Sequence, residues 1–192
     1  MQATKPLKKF SSSLLRRSVK PETTPMPGST ARNTIGWREY VELPELGILG
    51  PDRIKAKIDS GARSCALHAI NIRYFQKEGA AWIAFEVHPR QRTTKSLVSC
   101  QAPLLEVRSV KDSGGKRTLR PVILTEVKMG DAVIPIELTL VARDSMGFRM
   151  LIGRQAIRGR YLIDPGSSFI LSPKKQKQKN RKKKKKYRIT LP

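Results

Sequence analysis

Residues 132–142 alternate without a break. Ala132, Ile134, Ile136, Leu138 and Leu140 fall on one side, and Val133, Pro135, Glu137, Thr139 and Val141 on the other. A period of two belongs to a strand, and a helix cannot present it as a single face. Residues 53–59 repeat the pattern, with Ile54, Ala56 and Ile58 opposed to Arg53, Lys55 and Lys57. Further β-favouring runs lie at 38–43, 81–87, 104–110, 117–127, 161–164 and 169–171, while 66–75 is short and mixed. Turn formers separate them. Residues 44–52 hold two glycines and two prolines, Gly114-Gly115 suits a hairpin, and Met129-Gly130-Asp131 suits another turn. Only 153–159 is suited to one short helix. The pattern predicts an all-β domain over 34–173, built as a small closed or sandwich-like barrel, with no internal repeat.

Charge divides the chain in the same places. Of 192 residues, 39 are Lys or Arg and 15 are Asp or Glu, for a net charge of +24. Residues 1–33 carry seven basic residues and one acid, and 174–192 carry eleven basic residues and no acid, which leaves +7 for the middle. Blocks of like charge repel and cannot bury a core. We therefore expect a disordered basic arm at 1–33 and a polybasic tail at 174–192. A transit-like reading of 1–20 is the alternative for the arm. A run such as Arg181 to Lys186 binds phosphates without reading sequence, and Tyr187 alone offers a ring for stacking. The tail is thus a tether to RNA, ribosome or an anionic membrane surface, or a solubilising segment with non-specific affinity for polyanions. No apolar run approaches the about 20 residues of a membrane span, and no secretory signal is evident. Two cysteines, Cys65 and Cys100, fit free thiols in a reducing cytoplasm.

The chemistry is concentrated in two short segments. In Ile58-Asp59-Ser60-Gly61-Ala62 an alternating strand delivers an acid into a glycine-bearing turn. Met150-Leu151-Ile152-Gly153-Arg154 is an apolar run ending in glycine. Asp112-Ser113-Gly114 has the same letters as the first turn but lies in a Lys- and Gly-rich hairpin tip, and Asp164-Pro165-Gly166 is a turn sequence, so both read as structural. His68 and His88 are the only histidines. Cys65 and His68 have a ligand-like spacing, yet one pair is not a metal site, and a packed His68 is the preferred reading. No Gly-rich phosphate loop appears, and no cofactor is expected.

An Asp-Ser-Gly-Ala turn followed by a Leu-Ile-Gly-Arg segment resembles the subunit of a retroviral-type aspartic protease. The resemblance is closer to a bacterial and archaeal family of retropepsin-like proteases, often labelled ATP-dependent zinc proteases and in part linked to ribosomal-protein glutamylation. It is carried by Ile35-Gly36-Trp37-Arg38-Glu39, residues 54–63, Ala66-Leu67-His68-Ala69, Arg120-Pro121-Val122-Ile123, residues 138–143 and 148–154, and Ile163-Asp164-Pro165. It implies a homodimer in which Asp59 of each chain supplies one half of a catalytic acid pair. Ser60, Gly61 and Ala62 shape the turn, and Leu151, Ile152 and Gly153 support it from behind. Ser60 stands where Thr is commoner. The hairpin at 106–120, with its tip at 111–116, falls where this family's flap lies. There Arg108, Lys116, Arg117 and Arg120, together with Arg63 beside the turn, would favour acidic, glutamate-rich substrates. The rival reading keeps the fold without the chemistry: a silent binding module docked on RNA, ribosome or an acidic partner by its basic tails.

Overall fold

The computed structural model describes residues 33–91, 93–111, 114–142 and 147–172; the expected basic arm at 1–33, except for Asn33, and the expected tail at 174–192 lie outside these. Among the described residues the regular structure is almost entirely β. The strands are β1 (Asn33–Gly36), β2 (Arg38–Val41), β3 (Ile54–Asp59), β4 (Cys65–His68), β5 (Ile70–Lys77), β6 (Ala80–Val87), β7 (Val98–Pro103), β8 (Glu106–Lys111), β9 (Arg117–Met129), β10 (Ala132–Val141), β11 (Met150–Gly153) and β12 (Tyr161–Asp164). One short helix, α1 (Arg154–Ile157), follows β11 directly, inside the segment expected to be helical.

Seven strands form one sheet in the order β2-β3-β11-β4-β10-β9-β8. β5-β6-β7 form a second sheet, and β1 pairs with β12 in a parallel two-stranded one. The expected closure into a barrel is not made by a continuous ladder. The large sheet curls until Glu42, just past β2, meets Lys128 on β9 through two backbone hydrogen bonds of 3.0 and 2.9 Å. Twist brings the β2 edge back to β9 at that single bridge, and no sheet closes on itself among the described residues.

The position of β11 fixes the geometry around Asp59. β3 and β4 are consecutive in the chain, yet β11 lies between them, parallel to β3 and antiparallel to β4. Its register sets Gly153 opposite Asp59. β3 reads as its sequence predicts, with Ile54, Ala56 and Ile58 buried and Lys55, Lys57 and Asp59 turned outward.

Ile35, Leu43, Ile48, Ile54, Leu67, Phe85, Ile123, Leu138 and Met150 are among the fully buried core side chains. Each contributes about 1.5–3 kcal/mol by leaving water. One carboxylate shares this interior. Glu39 is 0% exposed; its Oε1 accepts hydrogen bonds from the Gly36 N–H (2.8 Å) and the Ile170 N–H (2.9 Å), and its Oε2 has no partner among the described residues. The side chain thereby ties the β1–β2 corner to the segment after β12. Glu39→Ala strands two amide donors, and we expect a loss of about 3 kcal/mol. Glu39→Gln keeps the accepting oxygen and should lose clearly less. Urea unfolding of both variants checks this, and equal losses would contradict it.

Three expectations need correction. Residues 169–171 are not a strand: Phe169 has φ +59°, which breaks an extended path, and its N–H donates to the Arg38 carbonyl while its ring stacks on Tyr40. The mixed stretch 66–75 holds two strands, β4 and β5, which belong to different sheets and part at Ala69. β7 was not anticipated, because Val98 to Pro103 alternates small and polar residues and ends in a proline.

Candidate active site

Asp59 ends β3 with its side chain 27% exposed. Its Oδ1 accepts hydrogen bonds from the Gly61 N–H at 3.2 Å and the Ala62 N–H at 3.4 Å, and the Ala62 N–H also reaches the Asp59 carbonyl at 3.2 Å. The carboxylate thus folds its own turn and leaves Oδ2 facing outward, with Lys57 Nζ 3.8 Å away. That pair is half in solvent and contributes little to stability. Ser60 and Gly61 are exposed, and Ala62 is half-buried.

The turn is gripped from the inner side by the end of β11. A Cβ on Gly153 would lie 2.3 Å from the Ser64 carbonyl oxygen and 2.4 Å from its carbon, so only glycine allows the two backbones to pass. The Gly153 N–H donates to Cys65 Sγ at 3.4 Å, the Arg154 N–H to the Ala62 carbonyl at 2.8 Å and the Gln155 N–H to the Arg63 carbonyl at 3.0 Å. Leu151 and Ile152 pair with Lys57 and Ile58 of β3. The guanidinium of Arg154 also donates to the Ser60 carbonyl at 3.3 Å. These contacts make Arg154 a positioning residue. Sequence reasoning missed that role, for which its place directly after Gly153 was the available signal.

On the outer side the turn is bare. Among the described residues, a Cβ on Gly61 would meet only Asp59 Oδ1, at 3.3 Å, and Gly61 does not have a positive φ. That contact is tighter than ordinary van der Waals packing, and the atom that would have to give is the carboxylate oxygen of Asp59 itself. The Asp59 turn also lines neither of two cavities, of about 720 and 390 Å³, on the described surface.

The basic candidates are dispersed. Arg63 is exposed beside the turn. Arg108 on β8 is held by two carboxylates of its own chain: Glu106, and Glu137 at 2.8 Å across β9, which hold its guanidinium firmly charged. Arg117 is exposed at the start of β9. Lys116 and Arg120 border the 390 Å³ cavity with Ile72, Tyr74, Leu140 and Val141, along the β9 side of the β8–β9 hairpin. Asp112 and Ser113 of the hairpin tip lie outside the described residues.

Two other chemistries meet physical obstacles. Cys65 and His68 stand three apart on β4, so strand alternation sends their side chains to opposite faces and they cannot close on one ion. Burial pushes the thiols of Cys65 and Cys100 up to about 11, so neither is a thiolate nucleophile near neutrality. Asp164 accepts from the Gly166 N–H at 2.8 Å, and the Ser167 hydroxyl followed by that amide holds its carboxyl below the usual range; it caps its own turn.

An acid closing a strand in a self-bonded Asp-Ser-Gly-Ala turn, backed by an inserted strand whose glycine clears the turn's backbone, is consistent with a retropepsin-like protein. The chain belongs to the RimB-like family, whose model, described as retropepsin-like aspartic endopeptidase RimB, matches residues 34–174. It is 46% identical over 140 residues to a probable alpha-L-glutamate ligase of Desulfotalea psychrophila and 43% identical over 140 residues to one of Shewanella pealeana. These matches cover 73% of this chain but 30% of either relative, so the chain spans about a third of the length of the curated proteins it matches. Among solved structures it is similar to Lpg0085 of Legionella pneumophila, a protein of unknown function, with 29% identity, a TM-score of 0.60, and coverage of 74% of this chain and all of that one.

Proposed function

We propose that the protein is an aspartic-type peptidase whose acid pair forms when Asp59 of one subunit meets Asp59 of a second. The observation that carries this is the two-sidedness of the turn. It is packed against Gly153 and Arg154 within its own chain, yet its outer side, with Ser60 and Gly61, is exposed. A second turn approaching from outside covers that side and turns an open surface into a cleft.

Two carboxylates at short range share one proton, because ionising both is costly. The ionised member takes a proton from water, which attacks the scissile carbonyl carbon; the protonated member donates a hydrogen bond to the carbonyl oxygen as charge develops there. Collapse of the tetrahedral species with proton transfer to the leaving nitrogen completes the hydrolysis. The Ser60 hydroxyl, exposed at the turn, bonds across the pair. The β1–β12 sheet, with its two outer strand edges and the exposed Leu162 and Ile163, is suited to joining the same sheet of the second copy. Arg63, Lys116, Arg117 and Arg120 favour glutamate-rich amide substrates, and the relatives named as glutamate ligases support that class. Arg108, already bound by Glu106 and Glu137, does not join this set. Residence in a reducing cytoplasm suits the two buried free thiols.

Gly61→Ala tests the pairing. An alanine Cβ would lie 3.3 Å from Asp59 Oδ1, so the carboxylate must give by a few tenths of an ångström, which offsets the about 0.4–1 kcal/mol that a glycine-to-alanine change at an ordinary φ otherwise contributes; dimerisation is therefore the deciding measurement. The expected result is an unchanged or slightly higher melting temperature with weakened dimerisation in sedimentation equilibrium and at least a roughly tenfold loss of hydrolysis. A fully active, dimeric Gly61→Ala protein would rule out close approach of the turns. Substrate class is tested separately by comparing α-linked oligoglutamate with neutral peptides; equal rates remove the acidic preference and leave the acid pair standing.

A further inference from the structure

The Asp59 turn carries more positive charge than its one acid can match. Lys57 Nζ faces Asp59 Oδ2 at 3.8 Å, and each of these charges answers the other. Two arginines fastened to the same turn are left over. The Arg154 guanidinium donates to the Ser60 carbonyl at 3.3 Å, and the Arg154 N–H to the Ala62 carbonyl at 2.8 Å. Arg63 is exposed, and its carbonyl is fixed by the Gln155 N–H at 3.0 Å. Among the described residues neither guanidinium has a carboxylate within ion-pair distance. Other arginines of this chain are settled: Arg108 takes both Glu106 and Glu137, and Arg38 and Arg53 lie over rings. An exposed cation such as Arg73, on β5, is an ordinary surface charge. Arg63 and Arg154 differ from it in being anchored by backbone bonds to the turn that bears the acid.

We propose that Arg63 and Arg154 recognise a substrate carboxylate on the residue flanking the bond that is cut. The inference rests on the peptidase reading, although both arginines belong to one chain. One N–H of the Arg154 guanidinium is spent on a neutral carbonyl. That bond fixes the group and leaves its other donors for a bidentate carboxylate, so little freedom is lost on binding. Ser60 directly follows Asp59, and consecutive Cα atoms are about 3.8 Å apart. A carboxylate on Arg154 therefore belongs beside the scissile bond and not on a distant part of the substrate. Arg63 adds a second charge from the residue just past Ala62. A planar carboxylate brings a single negative charge. A phosphomonoester brings nearly two, and the ionised member of the acid pair repels it more strongly at this short range. Lys57 is not required, since Asp59 already holds it.

The test uses the full chain and labelled peptides whose central amide is replaced by a non-hydrolysable hydroxyethylene unit. The peptides are otherwise neutral and differ only in glutamate or glutamine beside that unit. Binding is read by fluorescence anisotropy at about 0.15 M salt, where distant charges are screened. Glutamate should bind at least about tenfold more tightly than glutamine. Arg63→Gln with Arg154→Gln should bring the two peptides within about twofold of each other. Arg63→Gln alone keeps the backbone bonds of the turn, to which Arg63 contributes its carbonyl. It should cut the preference about threefold at an unchanged melting temperature. A control pair, Arg73→Gln with Lys95→Gln, removes the same charge elsewhere and should keep the full preference. The proposal is overturned by a preference that survives the double variant, that falls as far in the control pair, or that wild type lacks. Hydrolysis of the matching amide peptides separates this from the acid pair. Cleavage without a glutamate preference removes the carboxylate site alone; a glutamate preference in binding without cleavage removes the peptidase reading and leaves the site standing.

Discussion

Asp59→Asn should reduce amide hydrolysis by about 10²–10⁴-fold or more while leaving the fold intact. The asparagine side-chain oxygen can still accept from the Gly61 and Ala62 amides, at present 3.2 and 3.4 Å from Oδ1, so the turn is retained. What is lost is the ability to ionise at the one position where the pair must share a proton. In the proposed dimer, where each chain supplies one acid, a mixed dimer of wild-type and variant chains should be as inactive as the homodimeric variant; activity proportional to the number of wild-type chains would instead locate the chemistry within a single subunit. Thermal melts of the variant should coincide with wild type. Binding to polyanions should persist, and if it is the only activity either protein shows, the chain is a binding module with a silent site.

Gly153→Ala should be the most damaging single methyl in the protein. The added Cβ would sit 2.3 and 2.4 Å from the oxygen and carbon of the Ser64 carbonyl and 3.0 Å from the Arg63 carbonyl oxygen. These are backbone atoms beside the bonds from the Arg154 and Gln155 amides, so no flexible side chain can swing away. The clash must separate β11 from the turn it supports. We expect a loss of about 3 kcal/mol or more, and a fall in melting temperature of about 10 °C. Activity should fall further than stability explains, since the displaced turn carries Asp59; assays well below the variant's melting temperature make the distinction. A variant that melts like wild type would mean that β11 passes the turn at a greater distance.

Much of the framework was legible because it is local. Period-two runs marked β3 and β10 with their inward faces, glycine pairs marked the hairpin before β9, and the Asp59 turn lay where an alternating strand met Ser-Gly-Ala. The failures share a cause. Phe169 to Leu171 has strand composition, but its path is dictated by the Arg38 carbonyl and the Tyr40 ring, both about 130 residues earlier. The carboxylate partners of Arg108 were equally hidden from local sequence. Its pairing with Glu137, 29 residues on, exists only because the β8–β9–β10 registers bring the two side chains together.

The amino-acid order alone determined most of the segments that extend, the main turns, and that one acid sits in a Ser-Gly-Ala turn, since each depends on neighbours within a few residues. Tertiary structure decided that β11 threads between β3 and β4, that Gly153 and Arg154 grip the turn from within, and that Ser60 and Gly61 stay exposed on its outer side. Those outcomes depend on pairing between strands distant in sequence, where registry and side-chain packing over the whole curled sheet, not any local preference, select the arrangement.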